Sequence, residues 1–382
     1  MKRALMYASV ASMIDLFNMD NIRILQEMGY QVDVACNFEE GSITSVERVQ
    51  KFKEELDKLG IRYFQIPIPR SITRISDILK SYKLTKKISK GNYDLVHCHS
   101  PIGSVICRQA FKNTQTKIVY TAHGFHFYKG APLKNWLIFY PIEKYYSRWT
   151  DVLITINKED YDRAKRQKMA RVIEYVPGIG IDLSKYNNGS QSKSTLRAEL
   201  LLPDEALILT SVGELNDNKN HQIVIKALAE INDPRAHYII CGKGDNRDKL
   251  LKLAEELNIS DKIHLLGFRK DIPEILSQSD IFVFPSLREG LPVSLMEAMA
   301  SGLPCIVSDI RGNKDLIDNG KGGYLIGPTD YIKYSNTLKN LVMSSNEQNK
   351  MRLYNLNKIK MFDKKIIGSR MMKIYDDFKT IQ

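Results

Sequence analysis

Apolar residues recur along the chain in two alternating rhythms. Short runs in which nearly every position is apolar are separated by longer stretches with apolar residues every three or four positions. The short runs fall at about 3–8, 31–36, 62–66, 93–98, 117–121, 152–156 and 172–176, and again at 206–213, 236–241, 262–266, 280–284 and 304–308. Continuously apolar strands alternating with helical stretches predict mostly parallel sheets covered on both faces. Two such series predict an α/β chain of two Rossmann-like domains, and a length of 382 residues agrees with two domains rather than one. The break is expected at Pro177-Gly178-Ile179-Gly180, followed by the polar run Asn187 to Ser194. The domains are therefore drawn as 1–176 and 177–361. Helical spacing from Phe362 to Phe378 predicts a terminal helix within 362–382.

Charge changes the picture of the first domain. The chain carries net +12, and residues 1–176 hold 28 Lys and Arg against 18 Asp and Glu, while the remainder holds 28 against 26. A basic N-terminal half calls for an acidic partner: anionic lipid, a phosphorylated acceptor or nucleic acid. Zinc-type Cys/His spacing, a helix-turn-helix and basic runs interleaved with stacking aromatics are all missing, so nucleic acid is set aside. Segment 70–90 has seven basic residues and one acid, with Ile72, Ile75, Ile78, Leu79 and Tyr82 assigned to one helical face. Such a helix can lie on an anionic membrane surface, or cover a sheet with a solvated lysine face. No apolar run approaches the roughly 20 residues of a bilayer span, and the start runs directly into a strand without a cleavage-type site. The five scattered cysteines read as small buried side chains in a reducing cytosol.

The carboxyl ends of parallel strands are where α/β proteins bind ligands, and the sequence places glycine turns there. Strand 206–213 ends in Gly213-Glu214, with Lys219 at the start of the next helix. Strand 236–241 runs into Gly242, strand 262–266 into Gly267-Phe268-Arg269, and strand 280–284 into Glu289-Gly290-Leu291-Pro292-Val293 and Glu297. Free amides at Gly290, Leu291 and Val293 would form an anion site at a helix start, and Glu297 would accept hydroxyls. A pyrophosphate on amides and a diol on a carboxylate describe a nucleotide-sugar site. In the first half, strand 117–121 delivers His123 to a strand end beside Gly124. His97 and His99 share one face of a strand, but no third ligand accompanies them, so no metal is expected.

The Gly-Glu-Leu…Lys-Asn turn, the Gly-x-Gly turn and Glu289-Gly-Leu-Pro…Glu297-Ala-Met-Ala-Ser-Gly-Leu-Pro304 resemble the retaining GT-B glycosyltransferases of family four. The stretch Thr121-Ala-His-Gly-Phe-His-Phe127 is similar to bacterial capsule and exopolysaccharide enzymes. The resemblance implies two Rossmann-like domains facing across a cleft, with the C-terminal helix crossing back to the first. It implies transfer of a hexose or N-acetylhexosamine from a nucleotide-sugar, UDP-linked by resemblance only, to a polyprenyl-diphosphate-linked saccharide at the cytoplasmic face of the membrane. The anomeric configuration would be retained without a metal or other cofactor. Glu289 would lie by the donor sugar, Glu297 on the ribose diol, Lys219 on the diphosphate, Gly267 to Arg269 at the base and His123 at the reacting sugar. Glu214 stands where the family often has an arginine. Two other classes compete. A NAD-dependent oxidoreductase needs a Gly-x-Gly-x-x-Gly turn after its first strand, and the first glycine here is Gly29. The second is a non-catalytic nucleotide-sugar binder or scaffold, and the presence of Glu289, Glu297 and Lys219 argues against it.

Overall fold

The computed structural model describes residues 2–186 and 194–377. Most of the polar run after Tyr186, and the end of the terminal segment beyond residue 377, lie outside the described residues. The chain separates into two compact units. The first comprises residues up to Ile179 together with those from Lys365 onward, and the second comprises Gly180–Lys364.

The first unit holds a seven-stranded parallel sheet. Its strands are β1 (Lys2–Val10), β2 (Tyr30–Asn37), β3 (Arg62–Gln65), β4 (Leu95–His99), β5 (Lys117–Ala122), β6 (Val152–Thr155) and β7 (Val172–Tyr175). They lie in the order β3-β2-β1-β4-β5-β6-β7. The second unit holds six strands: β8 (Leu207–Val212), β9 (Ala236–Cys241), β10 (Ile263–Gly267), β11 (Ile281–Phe284), β12 (Cys305–Ser308) and β13 (Gly323–Ile326). Their order is β10-β9-β8-β11-β12-β13. Each sheet starts in its middle and grows first one way and then the other. The reversals at β1/β4 and at β8/β11 leave a crevice at the carboxyl edge, because the two flanking crossovers leave in opposite directions.

Strands buried on both faces explain the unbroken apolar runs. Ala4 and Met6 enter one core of the first unit while Leu5 and Tyr7 enter the other. The helix Lys364–Asp377 packs Ile367, Met371, Ile374 and Tyr375 into the first of these cores. All five cysteines are buried and free. Among the described residues no helix is long and apolar enough to cross a membrane.

Three expectations need correction. Strand β13 has no counterpart in the sequence reading. It has only four residues and opens on Gly323, where a Cβ would lie 1.9 Å from the Cys305 carbonyl oxygen; contact with β12, not apolar patterning, makes it a strand. The helix expected near Leu291 begins at Val293, and Pro292 stands at its N-cap with an extended ψ of 124°. The apolar residues of segment 70–90 do not share one face. In the helix Ile75–Ile88, Ile78 and Tyr82 pack on the core, whereas Ile75 and Leu79 point to solvent, as does Ile72 just before the helix.

One polar group is built into the first sheet. Asp33 on β2 is fully buried and accepts from Arg3 Nη2 at 2.8 Å, Arg62 Nη2 at 2.6 Å and the Tyr93 hydroxyl at 2.5 Å. Burial alone would raise its pKa, but the hydrogen bonds from Arg62, Tyr93 and Arg3 outweigh it and hold the carboxyl below its usual value. Asp33→Ala leaves two guanidinium groups and a phenol without their shared acceptor. We expect a loss of about 2–4 kcal/mol in urea unfolding, and a loss below about 0.5 kcal/mol would show that the three donors find water instead.

Candidate active site

The crevice at β8/β11 in the second unit collects the charged residues of the sequence motif. The loop after β8 carries Lys219 and the loop after β11 carries Glu289. Lys219 Nζ donates to Glu289 Oε1 at 2.7 Å, with both side chains largely buried, and the ammonium lies 4.7 Å from the Phe284 ring centroid. Backbone and side-chain bonds tie the two loops together. Leu287 N donates to Asn218 O at 2.8 Å, and Asn218 Nδ2 to Arg288 O at 3.0 Å. Asn220, at a φ of 54°, donates through Nδ2 to the carbonyls of Pro285 and Pro328, linking the loops after β8, β11 and β13.

The amides of Gly290, Leu291 and Val293 have no hydrogen-bond partner among the described residues, and no side chain caps the helix Val293–Ala300. Together with the positive end of that helix they form an anion-binding edge. Ser286 Oγ, buried just after β11, also lacks a partner among the described residues. Glu297, in the first turn but one, accepts the Tyr186 hydroxyl at 3.0 Å. Burial raises the Glu297 pKa, against the pull of that hydrogen bond and of nearby Lys185. Tyr186 carries no pattern in the sequence that would have singled it out.

Glycines in this unit make room for backbone rather than for ligand alone. A Cβ at Gly242 would sit 1.8 Å from the Gly213 carbonyl oxygen, and one at Gly312 would sit 2.3 Å from the Gly290 carbonyl oxygen. The turns after β8 and β9 are stacked, with Gly213 N donating to Cys241 O and Leu215 N to Lys243 O. Gly213 itself lies against the Lys219 side chain, so a Cβ there would be 3.0 Å from Lys219 Cε. Glu214 is turned outward to solvent, where Asn216 Nδ2 donates to it at 2.8 Å. Gly267 takes a φ of 67°, Phe268 is exposed, and Arg269 is committed to Glu199 and Asp271 at 2.5 Å each. Gly312 and Asn220 were missed by sequence reasoning. Both act on loops whose meeting only the fold decides.

In the first unit, His123 follows β5 and stands beside His99 at the end of β4, their Nε2 and Nδ1 atoms 3.1 Å apart. His97 lies against His99 with ring centroids 4.1 Å apart and ring planes tilted by 40°. His97 uses both ring nitrogens, one against Tyr375 Oη and one against Thr121 Oγ1, each at 2.7 Å. His99 Nε2 is buried and has no hydrogen-bond partner among the described residues. Burial keeps all three imidazoles neutral: it lowers the His97 pKa to about 3, His123 to about 4 and His99 well below its ordinary value. Among the described residues no group of three or more His, Cys, Asp or Glu side chains is arranged to hold a metal ion.

Comparison with known proteins assigns this architecture. Residues 19–185 match the family model described as Glycosyltransferase Family 4, and residues 192–358 match the one described as Glycosyl transferases group 1. The chain is 35% identical to the glycosyltransferase EpsD of Bacillus subtilis, over 89% of this chain and 87% of that one. The chain belongs to glycosyltransferase family 4. A UDP-Gal:alpha-D-GlcNAc-diphosphoundecaprenol alpha-1,3-galactosyltransferase of Escherichia coli is 31% identical, over 80% of this chain and 82% of that one. The crystal structure of HepE from Anabaena in complex with UDP and glucose superimposes with a TM-score of 0.78 at 18% identity, covering 99% and 100% of the two chains. The fold is thus GT-B, and the protein is a glycosyltransferase.

The neutral histidines set a pH dependence of stability. Unfolded histidines take up protons below about 6.5, while in the fold burial lowers the pKa of His123 to about 4, that of His97 to about 3 and that of His99 well below its ordinary value. The unfolded state therefore binds more protons in that window, and their stabilising contribution, complete above about pH 6.5, is lost as pH falls. The thermal midpoint should drop between pH 6.5 and 5, and His99→Asn should flatten that slope. A slope unchanged by the substitution would place the protonation elsewhere.

Proposed function

We propose that this family 4 glycosyltransferase moves a hexose or N-acetylhexosamine from a UDP-sugar to a polyprenyl-diphosphate-linked saccharide, with retention at the anomeric carbon. The observation that carries the reading is the Lys219–Glu289 pair beside unpartnered amides at Gly290, Leu291 and Val293. One cation and three free donors within one crevice suit a diphosphate whose negative charge grows as the sugar leaves. Glu289 then holds donor-sugar hydroxyls, and Glu297 takes the ribose diol with Tyr186 steadying one of its oxygens. The exposed ring of Phe268 offers a stacking face to the base, and Gly242 and Gly267 place no side chain between the stacked turns and the donor. Glu214, facing solvent, takes no part in gripping the diphosphate. His123 contributes a neutral imidazole to the sugar, acting as a hydrogen-bonding group and not as a cation.

Supporting the acceptor class, the E. coli relative is named for a diphosphoundecaprenol acceptor. A Campylobacter jejuni relative, 38% identical over 36% of this chain, is named for a diphospho-undecaprenol substrate as well. An acceptor with a polyprenyl tail brings the reaction to a membrane surface, which this reading takes to be the cytoplasmic one. The charge of the diphosphate is met by Lys219 and the helix amides, with no metal or other cofactor, and the departing phosphate takes the acceptor proton. No side chain serves as an obligatory nucleophile in this reading.

UDP should raise the thermal midpoint, while GDP and ADP should not. Lys219→Met should abolish the UDP shift and lower kcat by roughly 10²–10³-fold, with the fold intact by circular dichroism. Equal shifts with all three nucleotides would remove the UDP assignment. A Lys219→Met enzyme within about threefold of the parent would remove the lysine from the reaction, since one leaving-group contact of this kind carries roughly a hundredfold.

A further inference from the structure

The helix Leu133–Tyr146 has its apolar residues on both sides. Inward, Trp136, Phe139 and Tyr140 join the core, and Glu143 is buried against Arg108 at 2.8 Å and the Tyr120 hydroxyl at 3.0 Å. Outward, Leu133 is 73% and Leu137 69% exposed, and Ile138, Ile142 and Tyr145 continue the stripe at helical spacing. A solvent-facing helix surface is normally polar, and a contiguous exposed apolar stripe marks a surface that something covers.

Charge decides what covers it. The ionisable groups on the outer side are Lys134, Lys144 and Arg148, and the one acid of the helix is the buried Glu143. Aromatic rings end the stripe, with Arg148 4.9 Å from the Tyr145 centroid and Lys112 5.2 Å from that of Trp149. The helix Pro101–Phe111 packs against both this helix and the helix Ile75–Ile88. That second helix presents Ile75 and Leu79 outward, beside exposed Lys80, Lys83 and Lys87. Lys86 is withdrawn, donating to the Ala110 carbonyl at 2.9 Å. Two copies meeting through this face would bring their cationic rims together, at a cost in repulsion. An anionic lipid surface meets the lysines with opposite charge and takes the leucines into its acyl boundary, with tyrosine and tryptophan at headgroup depth.

We propose that the outer face of the helix Leu133–Tyr146, flanked by the outward lysines of Ile75–Ile88, docks the protein on an anionic bilayer. This deepens the lipid-linked-acceptor reading by naming the surface that meets the membrane, and it is tested without any sugar. The whole chain is sedimented with phosphatidylcholine vesicles, with and without phosphatidylglycerol. The wild type should bind the anionic vesicles, and added salt should weaken that binding. Leu133→Ser with Leu137→Ser should reduce it by about tenfold or more at an unchanged thermal midpoint. Lys83→Glu with Lys87→Glu should remove the preference for phosphatidylglycerol. A wild type that ignores both vesicles, or a leucine variant that sediments with them as the wild type does, overturns the proposal. So does a lipid-free wild-type dimer that the leucine variant converts to monomer.

Discussion

The second unit is organised around a gap between two adjacent parallel strands whose crossovers leave in opposite directions. Because β8 and β11 are neighbours in the sheet although distant in sequence, their following loops face each other over that gap. Lys219 comes from one and Glu289 from the other, and their 2.7 Å contact closes it. A cation held against a carboxylate and an aromatic ring is already partly removed from water before any ligand arrives, so little reorganisation accompanies its meeting with a phosphate. Removing either partner would strand the other in a place water reaches poorly.

The loops hold this geometry through backbone contact. Gly242 and Gly312 occur where a single methyl group would strike a neighbouring carbonyl, and Asn220 draws three strand-end loops together through one side-chain amide. The first unit solves the same problem with aromatic and imidazole side chains. The triplet His97, His99 and His123 is held neutral by burial and tied at one end to Tyr375 on the C-terminal helix. His97 is thus held by a helix far away in sequence.

The surface of the first unit breaks the usual division between inside and outside. Its helices cover the sheet as sheet-covering helices must, yet Leu133–Tyr146 and Ile75–Ile88 keep leucine and isoleucine on the side facing away from it. The buried Arg108–Glu143 pair anchors the first of these helices by charge as well as by packing, which leaves its outer apolar residues unused for folding.

Local sequence determined the alternation of strands and helices, the parallel sheets and the glycine turns at strand ends. Each follows from side-chain periodicity or from the conformational freedom of single residues. It also determined the pairing of Glu289 and Glu297 around one helix start, since eight positions span a short loop and just over one helical turn. The tertiary structure decided what depends on neighbours distant in sequence. Strand β13 exists because Gly323 can approach β12, and the apolar residues of 72–82 divide between core and solvent because the sheet covers only part of the helix. Tyr186 meets Glu297 and Asn220 bridges three loops for the same reason: a contact between residues far apart in the chain has no periodicity, and it becomes visible only when the strands are placed in order.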